Sequence, residues 1–156
     1  MEEIFQEDPG IGRLVARVRQ RIYNLVAQRL KGHDLDVGQF FFLRYILMHE
    51  GKTQEEIARN MLLDKATVSK ALKRLVQLGY VTQRVNEKDK RENKIYATGR
   101  ARQMLPQMEN IYQTVYRKLH EGLDAEEEKQ LKGLLLKVYR NLENPEDIPD
   151  GQADKG

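Results

Sequence analysis

Residues 64–79 read DKATVSKALKRLVQLG, and this stretch decides the fold. Apolar residues recur along it at the spacing of one helix face, namely Val68, Ala71, Leu72, Leu75 and Leu78. Asp64 is suited to the N-cap and Gly79 to the position just after the helix. The opposite face carries Lys65, Thr67, Ser69, Lys70, Lys73 and Arg74. The pattern therefore predicts an amphipathic helix with a cationic, polar outer face.

A second short helix is predicted directly before this one. Thr53 and Glu56 have the spacing of a capping box, which opens a helix running to about Asn60. Its inward candidates are Ile57, Ala58 and Met61, and residues 61–63 form the link to the next helix. A link of this length is typical of a helix-turn-helix. The alternative is an ordinary helical hairpin within a bundle.

The sequence changes character after Gly79. Residues 80–85 and 94–98 are rich in β-branched and aromatic side chains, whereas residues 86–93 are charged. We predict a two-stranded hairpin whose tip carries Lys88, Lys90 and Arg91, with Asp89 pairing with a neighbouring arginine and orienting it. A slim cationic hairpin fits the minor groove of DNA. The alternative is a surface hairpin with solvated charges.

The basic residues are concentrated in the middle of the chain. The net charge is only +3, but residues 65–102 hold eleven Lys and Arg against three acidic residues. This concentration favours a polyanionic partner, although a solvated basic surface is the alternative. In a helix-turn-helix the second helix enters the major groove of DNA. The predicted DNA contacts are Lys65, Thr67, Ser69, Lys70, Lys73, Arg74, Arg84, Lys88, Lys90 and Arg91.

Long amphipathic helices are predicted on both sides of this unit. One covers residues 10–31, and a nearly all-apolar helix follows from its N-cap Asp36. Another runs from Gly99 to about His120, where Pro106 predicts a kink or a late start. Asp124 caps a last helix that ends near residue 142, and residues 144–156 are expected to fray. The apolar stripes of the terminal helices predict a two-fold dimer.

We therefore expect a mainly α fold with a small β-hairpin, forming one domain over residues 1–156. Residues 36–98 would be the winged helix-turn-helix lobe, and residues 10–31 and 99–142 the dimerisation helices.

Several function classes lack their signature in this chain. Without cysteine there is no disulfide and no thiol redox centre. His33, His49 and His120 are too scattered for a predicted metal site. No phosphate-binding glycine loop or nucleophile elbow is present, so we expect neither an enzyme nor a cofactor. The sequence also lacks a membrane-spanning stretch and a secretory signal, so we expect a cytoplasmic protein with no membrane partner.

The chain resembles the MarR family of transcriptional regulators from about residue 10 to residue 142. The resemblance is carried by Gln-Glu-Glu-Ile-Ala at 54–58, by residues 64–79, and by the wing at 81–98 with Asp89-Lys90-Arg91; residues 39–47 and Thr98 are also similar. After the wing, the family often has Leu-Thr-x-x-Gly, where this chain has Ala97-Thr98-Gly99-Arg100-Ala101. The resemblance implies a winged helix-turn-helix between long terminal helices, with two interleaved subunits. It also implies that Thr67, Ser69 and Lys70 lie on the recognition helix and that Arg91 is aimed at the minor groove.

What the resemblance implies for function is a repressor that binds double-stranded DNA at a near-palindromic operator as a homodimer. Many relatives release DNA on binding a small phenolic or carboxylate effector, for which Arg17, Arg21, Arg44 and Tyr112 are the candidate contacts here. The alternative for these residues is solvated arginines and a core tyrosine. The alternative function is a winged-helix protein–protein interaction module, which would need apolar residues in place of Lys65, Ser69, Lys70 and Lys73. RNA binding is a third possibility, but the basic face has no aromatic residues for base stacking.

Overall fold

The structure is a computed structural model that describes residues 10–85 and 93–143. The predictions for the wing tip (Lys88, Asp89, Lys90 and Arg91) and for the tail at 144–156 lie outside these residues. The chain divides into two compact units, Met1–Tyr116 and Arg117–Gly156. The assignment of the whole chain to one domain stays a prediction.

The first two helices of the first unit are α1 (Gly10–Arg29) and α2 (Val37–Met48). Asp36 caps α2, because its carboxylate accepts a hydrogen bond from the backbone N–H of Gln39, whose side chain accepts one from the N–H of Asp36. This reciprocal pair satisfies two N–H groups that the helix leaves free. Phe40, Phe42 and other apolar residues of α2 are buried, so this helix forms the centre of the unit as its composition predicts.

The predicted helix-turn-helix is confirmed as α3 (Gln54–Met61) and α4 (Lys65–Gln77). Thr53 and Glu56 form the predicted capping box of α3, and Asp64 caps α4. Leu62, in the link, has φ of 53°, a left-handed conformation that is uncommon for a residue with a β-carbon. Gly79 follows α4 with φ of 75°, where glycine carries no steric penalty.

The wing is a three-stranded antiparallel sheet rather than a hairpin alone. Its strands are β1 (Lys52–Thr53), β2 (Val81–Val85) and β3 (Asn93–Ala97), in the order β1-β3-β2. β2 and β3 are the two strands that the composition predicts. β1 pairs with β3 through Lys52 opposite Ile95. The sheet is thereby joined to the residue that caps α3.

Helix α5 (Gly99–His120) has the predicted bounds and continues through Pro106, so of the two alternatives for this proline the late start is wrong. Apolar residues of α5 join the core of the first unit, among them Ala101, Met104, Met108 and Ile111. In the second unit, α6 (Ala125–Asn141) has the capping box of Asp124 and Glu127 that the sequence predicts. None of the described residues of α6 is buried.

Candidate nucleic-acid interface

Helix α4 has a buried apolar side and an exposed polar side. Val68, Leu72 and Leu75 are at most 1% exposed and pack into the core of the unit. The six predicted contact residues of this helix are all exposed, namely Lys65, Thr67, Ser69, Lys70, Lys73 and Arg74. The structure therefore brings these six together on one solvent-facing surface, which we call the α4 face.

The start of α4 fixes one of these side chains in place. The Asp64 carboxylate accepts hydrogen bonds from the backbone N–H of Thr67 at 2.8 Å and from its hydroxyl at 2.6 Å. The Thr67 hydroxyl and then its backbone N–H hold the pKa of Asp64 below its ordinary value. Asp64 is thus an anion at neutral pH, and Thr67 presents one defined orientation in the first turn of α4.

A cleft of about 280 Å³ lies beside the start of α4 and is lined by Thr53, Gln54, Glu55, Lys65, Gln83, Asn93 and Ile95. The Gln54 side chain donates to the backbone oxygen of Lys65 at 3.5 Å, and the Asn93 amide donates to Gln83 at 3.4 Å. Gln54 and Gln83 also line a second groove, together with Ser69 and Lys73. Amides can bond both phosphates and base edges. These glutamine and asparagine side chains were not predicted as contact residues from the sequence, because they add nothing to the charge pattern.

The predicted contact Arg84 lies elsewhere on the wing. Side chains of directly paired strand residues share one face of a sheet, and Arg84 is paired with Lys94 whereas Gln83 is paired with Ile95. Arg84 therefore points away from the sheet face that lines the cleft beside Lys65. Its guanidinium carbon lies 4.8 Å from the centre of the Tyr96 ring, a cation–π contact. The structure does not bring Arg84 to the α4 face.

Two cations of the basic middle segment, residues 65–102, form ion pairs with acidic residues elsewhere in the chain. Arg102 forms an ion pair with Glu50 at 2.7 Å and donates to the backbone oxygen of Ala97 at 2.9 Å. Arg100 forms an ion pair with Asp34, also at 2.7 Å. Both acidic partners lie outside residues 65–102. The positive charge offered to a partner is therefore smaller than the segment's composition implies.

Of the candidate effector contacts, Arg44 and Tyr112 lie together. The guanidinium carbon of Arg44 is 3.6 Å from the centre of the Tyr112 ring, and its Nε donates to Glu109 at 3.1 Å. Arg44 thus already has a carboxylate partner from α5. Arg21 is exposed and Arg17 is half-buried, both on α1. An effector role for these four residues stays a prediction.

Each terminal helix exposes apolar side chains in its own unit. On α1, Ile11 is 65% exposed, and Leu14, Val15 and Val18 are also exposed. On α6, Leu134 is 61% exposed, and Leu131, Leu135 and Tyr139 are also exposed. Apolar patches of this kind on a folded chain mark contact surfaces.

In the part of the chain that the structure describes, no group of three or more His, Cys, Asp or Glu side chains is placed to hold a metal ion. The described helices include none that combines the length and the apolar character needed to cross a membrane.

Comparison with known proteins points to one group. Residues 33–92 match the model described as MarR family. The chain is 27% identical to the uncharacterized HTH-type transcriptional regulator YybA of Bacillus subtilis over 92% of this chain and 91% of that protein. It is similar to a MarR mutant from E. coli complexed with operator DNA, at 29% identity and a TM-score of 0.75, over 82% of this chain and 92% of that one. The S. aureus MepR–DNA complex shares the fold, at 24% identity and a TM-score of 0.80 over 85% and 98% of the two chains.

The helix-turn-helix, the sheet beside it and the exposed α4 face define the class of winged-helix DNA-binding transcriptional regulators. Regulators of this class are not enzymes. Within this class, the chain is similar to regulators of the MarR family, whose model matches residues 33–92.

Proposed function

We propose that this chain is a sequence-specific repressor that binds a near-palindromic operator in double-stranded DNA as a homodimer. The α4 face carries the proposal, because its cationic and hydrogen-bonding side chains are exposed while the apolar side of the same helix is buried. The similar E. coli protein is complexed with operator DNA, which supports the same partner here. Repression is the common mode of the family.

The residues of the interface take two kinds of role. Thr67 and Ser69 lie on the part of α4 that reaches base edges when a recognition helix enters the major groove. Lys65, Lys70, Lys73 and Arg74 contact phosphates, which fixes the position of the helix but carries no sequence information. In the wing, Lys88, Lys90 and Arg91 reach the minor groove and Asp89 orients Arg91, while Arg84 contacts the backbone from the outer face of the sheet.

The homodimer is supported by the exposed apolar residues of α1 and α6. Leaving several leucine and valine side chains in water is unfavourable by about 25 cal/mol per Å² of apolar surface. A second copy with the same faces removes this surface by two-fold association. Two recognition helices about 34–36 Å apart would then read two successive major grooves, which requires a near-palindromic site.

A protein–protein interaction module is the alternative, and the surface chemistry of α4 argues against it. The core of a protein interface is depleted in charged residues and enriched in aromatic ones. The α4 face has lysines at positions 65, 70 and 73 and a serine at 69, all exposed. This composition suits a phosphate-bearing partner better than an apolar one.

A small aromatic anion is the proposed effector. Arg44 and the Tyr112 ring offer a cation and an aromatic face in contact with each other, which complements an aromatic carboxylate or phenolate. Such an anion competes with Glu109 for Arg44, and Arg17 and Arg21 supply further positive charge.

A regulator acts where its DNA lies, so the proposal includes a cytoplasmic location.

Selection of bound duplexes from a random pool tests the operator proposal. We expect a two-fold symmetric consensus, and weaker binding to it by the double variant Lys70→Ala with Arg91→Ala. A pool without enrichment, or equal binding by this variant and the parent, would refute the assignment. Circular dichroism of the variant serves as the folding control.

The effector proposal is tested with the selected duplex and two simple probes, benzoate and 4-hydroxybenzoate. We expect release of DNA in the millimolar range or below, and loss of this response in Arg44→Gln. Unchanged DNA binding with both probes would remove the aromatic-anion proposal and leave the operator proposal intact.

A further inference from the structure

The turn between α4 and β2 is held by a side chain from α5. Arg100 lies in the first turn of α5, and its Nη1 donates a hydrogen bond to the backbone oxygen of Leu78, the C-cap residue of α4. Its Nη2 donates to Asp34 at 2.7 Å. The guanidinium carbon is 4.4 Å from the centre of the Tyr80 ring. One planar cation thus joins the end of α4 to the segment between α1 and α2.

Tyr80 and Thr98 close the network around this cation. The Tyr80 hydroxyl donates to the second oxygen of Asp34 at 2.7 Å, so both carboxylate oxygens are engaged. The Thr98 hydroxyl donates to the backbone oxygen of Gly79 at 2.7 Å. The last carbonyl groups of a helix have no partner within the helix itself. Arg100 and Thr98 supply partners at the end of α4, and they come from the segment that follows the wing.

We propose that Arg100 is a positioning residue for DNA binding, which fixes the direction of α4 relative to the wing without touching DNA. The proposal rests on the proposed function. A recognition helix and a wing bind two grooves at once only if the angle between them is held, and the Arg100 network joins them where α4 passes into β2. The planar fork of arginine makes two directed hydrogen bonds while it stacks on a ring, and lysine cannot reproduce this geometry.

The same contacts argue against a mainly stabilising role. The side chains of Arg100 and Asp34 are 52% and 36% exposed. Ion pairs this exposed add little to the free energy of unfolding. The effect of the network should therefore appear in the order of the α4 end and in DNA affinity, with little change in melting temperature.

Arg102 provides a matched control on the same helix. Its side chain is 54% exposed, and it also pairs with a carboxylate and donates to a backbone oxygen. Its partners are Glu50 and Ala97, so it holds the end of β3 and not the end of α4. Arg102→Lys therefore disrupts the same kinds of contact, an ion pair and a hydrogen bond to a backbone oxygen, at the end of β3 instead of the end of α4.

The first measurement is DNA affinity of the full chain as a function of salt, using the duplex selected above. We expect Arg100→Lys and Arg100→Gln both to weaken binding roughly 2- to 30-fold, the range for residues that act without contacting the ligand. The salt slope should stay unchanged, because Arg100 neutralises no phosphate. A phosphate contact would behave differently: Arg100→Lys would retain affinity, and Arg100→Gln would lose about 0.9 of the slope per protomer. That result would overturn the proposal.

The second measurement is hydrogen exchange without DNA. The amides of Leu78, Gly79 and Tyr80 donate to carbonyl groups of α4, so their exchange reports on the end of that helix. We expect faster exchange in Arg100→Lys and in Tyr80→Phe, which removes only one hydroxyl, and no change in Arg102→Lys. Parent-like exchange in Arg100→Lys would refute the role of Arg100 even if DNA binding is normal. A parent that binds no duplex would instead refute the proposed function.

Discussion

Replacing Lys70 by alanine should make DNA binding less sensitive to salt by an amount that the α4 face allows us to work out. From Lys65 to Arg74 the helix rises about 13 Å at 1.5 Å per residue. One DNA strand places roughly four phosphates along that length, at about 3.4 Å each. The helix presents Lys65, Lys70, Lys73 and Arg74, so the charges match in number.

The magnitude follows from counterion release. If all four cations contact phosphates, a dimer neutralises about eight, and log K falls with log salt with a slope of roughly −7. Between 50 and 200 mM salt, affinity then falls about 10⁴-fold. Lys70→Ala removes one contact per protomer, so the slope becomes less steep by about 1.8 per dimer and the fall is about tenfold smaller.

The assay is fluorescence anisotropy with the selected duplex at five or more salt concentrations. Lys70→Arg is the matched control, because it keeps the charge at the same position and should keep the slope. A parent-like slope in Lys70→Ala would refute the phosphate contact. A reduced slope in Lys70→Arg would show that the change in slope does not come from charge.

Three further predictions concern stability, pH and assembly. Leu72→Ala should lower the free energy of unfolding by about 2–5 kcal/mol, because Leu72 is 1% exposed. The control Val76→Ala, on the exposed side of α4, should change it by less than about 0.5 kcal/mol. Chemical denaturation of the two variants and the parent measures both effects. The Tyr80 hydroxyl, and also Arg100, lower the pKa of Asp34 in the folded chain. The Asp34 carboxylate therefore stabilises the fold above pH ~4, and this contribution is lost as the pH falls through the pKa of the folded state. Asp34→Asn should therefore be less stable than the parent at pH 7 by only a small amount, because the ion pair with Arg100 is exposed, and the difference in melting temperature should disappear as the pH falls below ~4. Val18→Glu places a charge in the exposed apolar face of α1 and should shift the mass in solution from dimer to monomer, measured by light scattering; an unchanged mass would exclude this face from the interface.

The elements of the helix-turn-helix, and helix α2 before it, could be predicted because their signals are local. The capping boxes at Thr53 and Asp36 and the helical spacing of Val68, Leu72 and Leu75 all lie within a few residues of the elements they define. Strand β1 could not be predicted in the same way. It has two residues, and it exists only because Lys52 pairs with Ile95 far along the chain.

Candidate contact residues could be predicted where they are charged side chains on the polar face of a helix. They could not be predicted where contacts between distant parts of the chain determine whether a side chain is available to a partner. The exposed cations of α4 follow from the amphipathic pattern. Arg100 and Arg102 have the same charge, but they are held by Asp34 and Glu50, which the chain brings near only on folding. Gln54 lines the cleft without any charge that would distinguish it in the sequence.

The hydrogen bond between Thr67 and Asp64 has a consequence for which bases this position can read. A hydroxyl has a single proton, and that of Thr67 is already directed to a carboxylate of its own chain. Its oxygen keeps lone pairs for accepting, and its methyl group is free for apolar contact. Toward the major groove it is therefore suited to the amino groups of cytosine and adenine or the methyl group of thymine, and it has nothing to donate to the two acceptors of guanine.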